Sequence, residues 1–145
     1  MASWAEVERQ APELAALARG FLDALTHKTL ATIRRDGSPR ISGTELEISD
    51  GELWLGSMWR SVKALDLLRD PRFALHSGSP DPDAGWAGDA KLAGRAEDVS
   101  AEGATSHRFR LDVTELVVVH LDEPREHLVI ESWHEGRGLS RRERA

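Results

Sequence analysis

The chain has 145 residues, 40% of them hydrophobic, and no cysteine, which suits one domain around one core and excludes a disulfide scaffold, a thiolate metal site and a cysteine nucleophile. A formal net charge of -6 argues against nucleic acid as a partner, since phosphate backbones require a dominant basic face. The longest dense apolar run, Leu116 to Leu121, is strand-sized, and Met1 to Glu6 has neither the basic region nor the apolar stretch of a signal peptide. The expectation is a cytoplasmic protein without a membrane partner.

Ser3 and Glu6 have the spacing of a capping box, and Trp4, Val7, Ala11, Leu14, Ala18 and Leu22 then recur at helical spacing. Pro12 divides this N-terminal segment, residues 1–27, into a short first turn and a longer helix. Thr29 to Arg34 is short and β-branched, and Arg35-Asp36-Gly37-Ser38-Pro39 is a strong turn signal. Arg40 to Ile48 reads as a second strand, Ser49-Asp50-Gly51 as a turn and Glu52 to Ser57 as a third strand, together a meander of hairpins. Helical spacing returns from Ser61 to Leu68, with Val62, Leu65 and Leu68 on one face, until Asp70-Pro71 stops it. Phe73 to His76 is a fourth strand, and Ser77 to Gly85, with Gly78, Pro80 and Pro82, is a loop. Lys91 to Val99 and Phe109 to Leu121 are further strands, the second long enough to bend, and His127 to Trp133 is the last. Residues 137–145 form a basic tail with Arg137, Arg141, Arg142 and Arg144. The fold class expected is mainly β: one domain over residues 1–145, an antiparallel barrel of about seven strands with an N-terminal helix and a short inserted helix.

The richest stretch chemically is Leu53 to Ser77. A strand ends in Gly56 and Ser57, a polar connection follows, and a helix starts near Ser61 with Lys63 in its first turn. Free N–H groups at a helix start, a hydroxyl and an ammonium can hold an anion. Equally, Ser61 can simply cap the helix and Lys63 be solvated. The six histidines show no pair at a ligand spacing on a recognisable helix, so no metal site is expected. No residue stands out as a catalytic acid, base or nucleophile.

Four stretches, in this order and spacing, resemble the pyridoxamine 5'-phosphate oxidase superfamily of FMN-binding split barrels, over roughly Leu30 to Arg142. They are Leu30 to Pro39 as the first hairpin, Ser57 to Arg72 with its Leu68-Arg69-Asp70-Pro71-Arg72 ending, Gly85-Trp86 before the fifth strand, and Glu131-Ser132-Trp133-His134-Glu135-Gly136-Arg137. The resemblance implies a split barrel in which Ser57, Arg60, Ser61 and Lys63 grip a cofactor phosphate with help from Arg40. Backbone from Ile41 to Thr44 would line the ring. Trp133, with Arg141 or Arg142, would cover the ring from a partner subunit, and Trp86 would contact the cofactor. On local physics alone, Trp133 is equally a tryptophan packed on the barrel, and Trp86 an anchor for a long loop.

Three departures bear on activity. Glu45 stands where the oxidase branch has a second phosphate-binding lysine, Val62 where it has an arginine, and its basic, histidine-containing substrate cluster has no counterpart. These argue against oxidation of pyridoxamine phosphate. The resemblance implies instead a flavin- or deazaflavin-dependent oxidoreductase that moves hydride to or from a small organic substrate. Its cofactor would be FMN or the deazaflavin coenzyme (factor 420), held at a homodimer interface where Trp54, Trp59 and Phe109 offer apolar surface. Trp86 and the single lysine lean towards the deazaflavin or a loosely held flavin. The alternative is a non-catalytic split-barrel module that binds or stores flavin or another planar ligand such as haem.

Overall fold

The computed structural model describes residues 2–79 and 86–145; most of the expected loop, residues 80–85, lies outside the described residues. Ser3 caps helix α1 (Trp4–Gln10), its Oγ accepting the Glu6 N–H at 3.2 Å. Pro12 opens helix α2 (Pro12–Ala24) as expected, since the first helical residue needs no N–H partner. Leu14, Ala15, Ala18 and Leu22 form its buried face.

Strands β1 (Lys28–Ile33) and β2 (Pro39–Thr44) make a hairpin around Gly37, which adopts φ +87°. The expected second strand, Arg40 to Ile48, proves to be two. β2 stops at Thr44, and β3 (Glu47–Ser49) pairs not with β1 but with β4 (Glu52–Met58). The meander therefore consists of two separate hairpins. Helix α3 (Val62–Arg69) follows, capped by Ser61, and then β5 (Arg72–His76), β6 (Gly88–Asp98), β7 (Ser106–Leu121), β8 (Leu128–His134) and β9 (Gly138–Arg144).

All pairings are antiparallel, in the order β2-β1-β5-β6-β7-β4-β3, with β8 on β7 and β9 on β8. Among the described residues, nine strands thus replace the expected seven or so; β3 and β9 are the additions. β9 occupies what the sequence offers as a basic tail. β7 is long because it serves two neighbours: Ser106 to Leu111 pairs with β4, and Glu115 to Leu121 with β8. Between these halves the ladder with β6 slips by one residue next to Gly94. A Cβ on Gly94 would lie 1.8 Å from the Asp112 carbonyl oxygen, so glycine is required at that bulge.

One cluster of buried side chains runs from Trp4 and Val7 of α1, through Leu14 and Leu22 of α2, to Leu53, Phe109, Leu111 and Leu116 inside the sheet. Each such leucine or phenylalanine removed from water stabilises the fold by about 1.5–3 kcal/mol. Among the described residues, no helix is long and apolar enough to cross a membrane. The ends of the sheet, β2 and β3, do not pair with each other. The barrel is therefore split, and the link Glu45-Leu46 carries the chain across the seam.

Candidate functional site

The seam opens into a groove of about 440 Å3. One wall is the end of β2 and its link, Gly43, Thr44 and Glu45; the other is the end of β4, Gly56, Ser57 and Met58. Lys63 reaches in from α3, with His27 and Ser106 at the margins. A Cβ at Gly43 or Gly56 would meet nothing within 4 Å, so both glycines leave open wall where a side chain would intrude. β3 pairs only with Glu52 to Trp54, and the end of β4 therefore has no ladder partner on its groove side among the described residues.

Three groups that can hold an anion meet there. Ser57 Oγ and Ser61 Oγ are 2.5 Å apart. Ser61 Oγ also accepts the Ala64 N–H at 3.3 Å, so the helix cap and the hydroxyl pair are one structure. Lys63 Nζ donates to the Gly43 carbonyl oxygen across the seam at 2.9 Å. The structure thus brings the candidates Ser57, Lys63 and Thr44 to one groove, while Ser61 caps α3 and reaches the groove only through its contact with Ser57. His27 and Ser106 were missed. His27 Nε2 lies 3.8 Å from Glu45 Oε1, both side chains being exposed. Nothing local in the sequence signals this pair, because it forms only when the start of β1 meets the end of β2.

Arg40 is held beneath the groove. Its Nε donates to Asp66 Oδ2 at 2.7 Å. The same oxygen accepts the Thr32 hydroxyl at 2.7 Å, and Asp66 Oδ1 accepts Arg69 Nη2 at 2.9 Å. Asp66 is 3% exposed. Burial pushes its carboxyl up, but the hydrogen bonds from Thr32, Arg40 and Arg69 outweigh it and hold the group below the ordinary carboxylate value. This cluster ties α3 to β1 and β2, and so aims Lys63. Arg40 is absent from the groove lining.

Arg60 sits in the turn after β4 with φ 55°, a left-handed conformation that costs a non-glycine residue about 1–2 kcal/mol. The adjacent Trp59 anchors this turn by stacking on His107, with ring centroids 4.4 Å apart. Arg60 is exposed, without an ion pair among the described residues, and does not line the groove.

Trp133 is displaced from the expected role. It is 1% exposed, and its Nε1 donates to Gln10 Oε1 at 3.1 Å. The indole is enclosed by its own chain and presents no surface to a ligand, so the packing alternative holds for it. Trp86 is half-buried before β6, with its carbonyl accepting Arg125 Nη2 at 2.9 Å; it does not line the groove. Arg141 on β9 pairs with Glu143 at 2.8 Å. Arg142, on the opposite face of that strand, lines a separate polar groove of about 390 Å3 with Ser132, His134 and Arg137. Of the apolar candidates, Phe109 is buried in the core and Arg108 lies over the Trp54 ring at 4.3 Å, whereas Trp59 is exposed.

No protein-family model matches the chain, and no curated protein matches it. Solved structures do match. PhzG from Burkholderia lata 383, in complex with tetrahydrophenazine-1-carboxylic acid, superimposes with a TM-score of 0.67 at 12% identity, covering 94% of this chain and 95% of that one. A pyridoxamine 5'-phosphate oxidase-related, FMN-binding protein from Nostoc punctiforme PCC 73102 gives 0.61 at 12% identity, covering 90% and 94%. A haem-binding protein from Mycobacterium smegmatis gives 0.62 at 14%, covering 91% and 88%. The chain spans 58% of the length of another match, a protein of unknown function from Agrobacterium tumefaciens str. C58. At these identities the likeness establishes the fold, a mainly antiparallel split barrel.

Proposed function

We propose that the seam groove holds a flavin or deazaflavin by its phosphate, and that the protein is an oxidoreductase using it to transfer hydride to or from a small organic substrate. One observation carries this reading: the Ser57–Ser61 hydroxyl pair and the Lys63 ammonium converge on a groove whose walls are opened by Gly43 and Gly56. The fold likeness to an FMN-binding protein supports it. The groove volume of about 440 Å3 lies in the ordinary range for small-molecule sites, about 300–1,000 Å3.

In this reading the serine hydroxyls and the first N–H groups of α3 donate to the phosphate oxygens, while Lys63 supplies charge. The bare walls at Gly43 and Gly56 leave room for a flat ring. The bound cofactor supplies the hydride chemistry; the chain supplies position. His27 and Glu45 are the groove's neighbouring titratable groups and are placed to hold a proton at its mouth. A second copy of the chain would close the site, since Ile41, Met58 and Trp59 stand 74%, 80% and 53% exposed. Between the two cofactors, the single groove lysine favours the deazaflavin or a weakly held flavin.

The test is reconstitution with either cofactor, followed by addition of NAD(P)H or of the reduced deazaflavin coenzyme and a set of small organic acceptors. Bleaching and recovery of the cofactor's visible absorbance over many cycles is the expected result. Failure of both cofactors to bind contradicts the proposal. Tight binding without turnover moves the protein to a second reading, a module that binds or stores flavin or another planar ligand such as haem. The fold likeness to a haem-binding protein supports that reading.

A further inference from the structure

Resting on the reading of the groove as a cofactor-anion site, we infer that it selects by charge. It takes a singly charged phosphodiester in preference to the dianion of a phosphate monoester, and Glu45 sets that preference. Among the described residues, Lys63 is the one ammonium or guanidinium lining the groove, and Glu45 the one carboxylate. Arg60, a nearby guanidinium without an ion pair among the described residues, does not line the groove, and three others are matched to carboxylates. Arg40 and Arg69 share Asp66 at 2.7 and 2.9 Å, and Arg108 holds Glu47 at 2.9 Å. The hydroxyls lining the groove, those of Thr44, Ser57 and Ser106, carry no charge, and neither does Ser61 behind Ser57.

A singly charged anion is neutralised by Lys63 and satisfied by the hydroxyls. A dianion brings a second negative charge that meets no second cation in the groove lining and shares its groove with Glu45. That carboxylate also borders the adjoining groove of about 220 Å3 that continues past Trp54 and Arg108. A ligand chain leaving the phosphate in that direction therefore passes Glu45. His27 Nε2 stands beside that carboxylate, 3.8 Å from Glu45 Oε1. Like charges separated by several ångströms across a partly hydrated groove repel enough to change affinity by about three- to tenfold.

The experiment is equilibrium titration at about pH 8, where a phosphate monoester is dianionic. The probes are FMN, riboflavin 4',5'-cyclic phosphate as the singly charged diester, and riboflavin. The wild type is expected to bind the cyclic diester about threefold or more tighter than FMN. Glu45→Gln, an exposed and fold-neutral change, is expected to raise FMN affinity about threefold or more and to leave riboflavin unchanged, so that the preference collapses. FMN binding as tightly as the diester, or a ratio unmoved by Glu45→Gln, overturns the inference. If none of the three binds, the flavin half of the cofactor reading fails on its own. Amide shifts of Gly43, Ser57 and Lys63 on titration with dimethyl phosphate and methyl phosphate then read the charge preference independently. A stronger response to the diester sustains it, and an equal or stronger response to the monoester overturns it.

Discussion

Truncating Asp66 to alanine removes the acceptor shared by Thr32, Arg40 and Arg69. Removing one partner of a buried charge cluster typically costs about 3–5 kcal/mol. Because Arg40 is one-quarter exposed and water can compensate part of the loss, Asp66→Ala is expected to cost about 3 kcal/mol in urea unfolding. The pH dependence follows from the sign of the shift. The folded carboxyl titrates below its ordinary value of 3.8. Its contribution is therefore complete above that value and is lost as pH falls through the lowered folded value. Thermal midpoints measured between about pH 7 and pH 3 should fall more steeply for the wild type than for Asp66→Asn. At this scale the sequence is legible where partners are close along the chain. Ser57, Ser61 and Lys63 lie within one strand end and one helix start, so spacing alone brought them together. Arg40 with Asp66, and Trp133 with Gln10, are set by tertiary contacts spanning 26 and 123 positions. Resemblance alone placed Arg40 and Trp133 on the ligand, whereas the packing of this chain engages both elsewhere.

Helix α3 and its cap were readable because Ser61, the Val62, Leu65 and Leu68 spacing, and Asp70-Pro71 are local signals with local causes. The break between β2 and β3 was not. Thr44-Glu45-Leu46-Glu47-Ile48 keeps a strand-like alternation straight through the seam, so periodicity reports one strand where the chain changes partners. β9 was missed for the opposite reason. Its sequence, Gly138 to Arg144, is mostly charged, which suits an edge strand and hides it from a hydrophobic pattern. Gly94 belongs to this scale too, since it lets β7 bend between its two partners. Gly94→Ala forces a Cβ against the Asp112 carbonyl and is expected to destabilise the fold by about 2 kcal/mol or more. A neutral result by thermal or denaturant unfolding would show that the bulge relaxes freely.

The whole molecule is a sheet that curls without closing, and the candidate site lies where its ends fail to pair. Seam and site coincide for a physical reason: the ends of β2 and β4 lack ladder partners on the seam side among the described residues, so carbonyl and N–H groups and side-chain hydroxyls remain open to a ligand. The barrel class was legible from the succession of short strands, but the position of the seam depends on which strands pair. If two copies close the groove, sedimentation should give twice the 16.0 kDa chain mass, and Ile41→Glu should shift the protein towards the monomer. The central claim, that the seam groove binds a cofactor through its phosphate, is tested most directly by titrating the purified protein with FMN and with the deazaflavin coenzyme, alongside Lys63→Ala. The account predicts saturable binding of one of them, weakened about tenfold or more in the variant, which is about 1.4 kcal/mol. Binding that is undiminished in Lys63→Ala, or no binding of either cofactor, would contradict it.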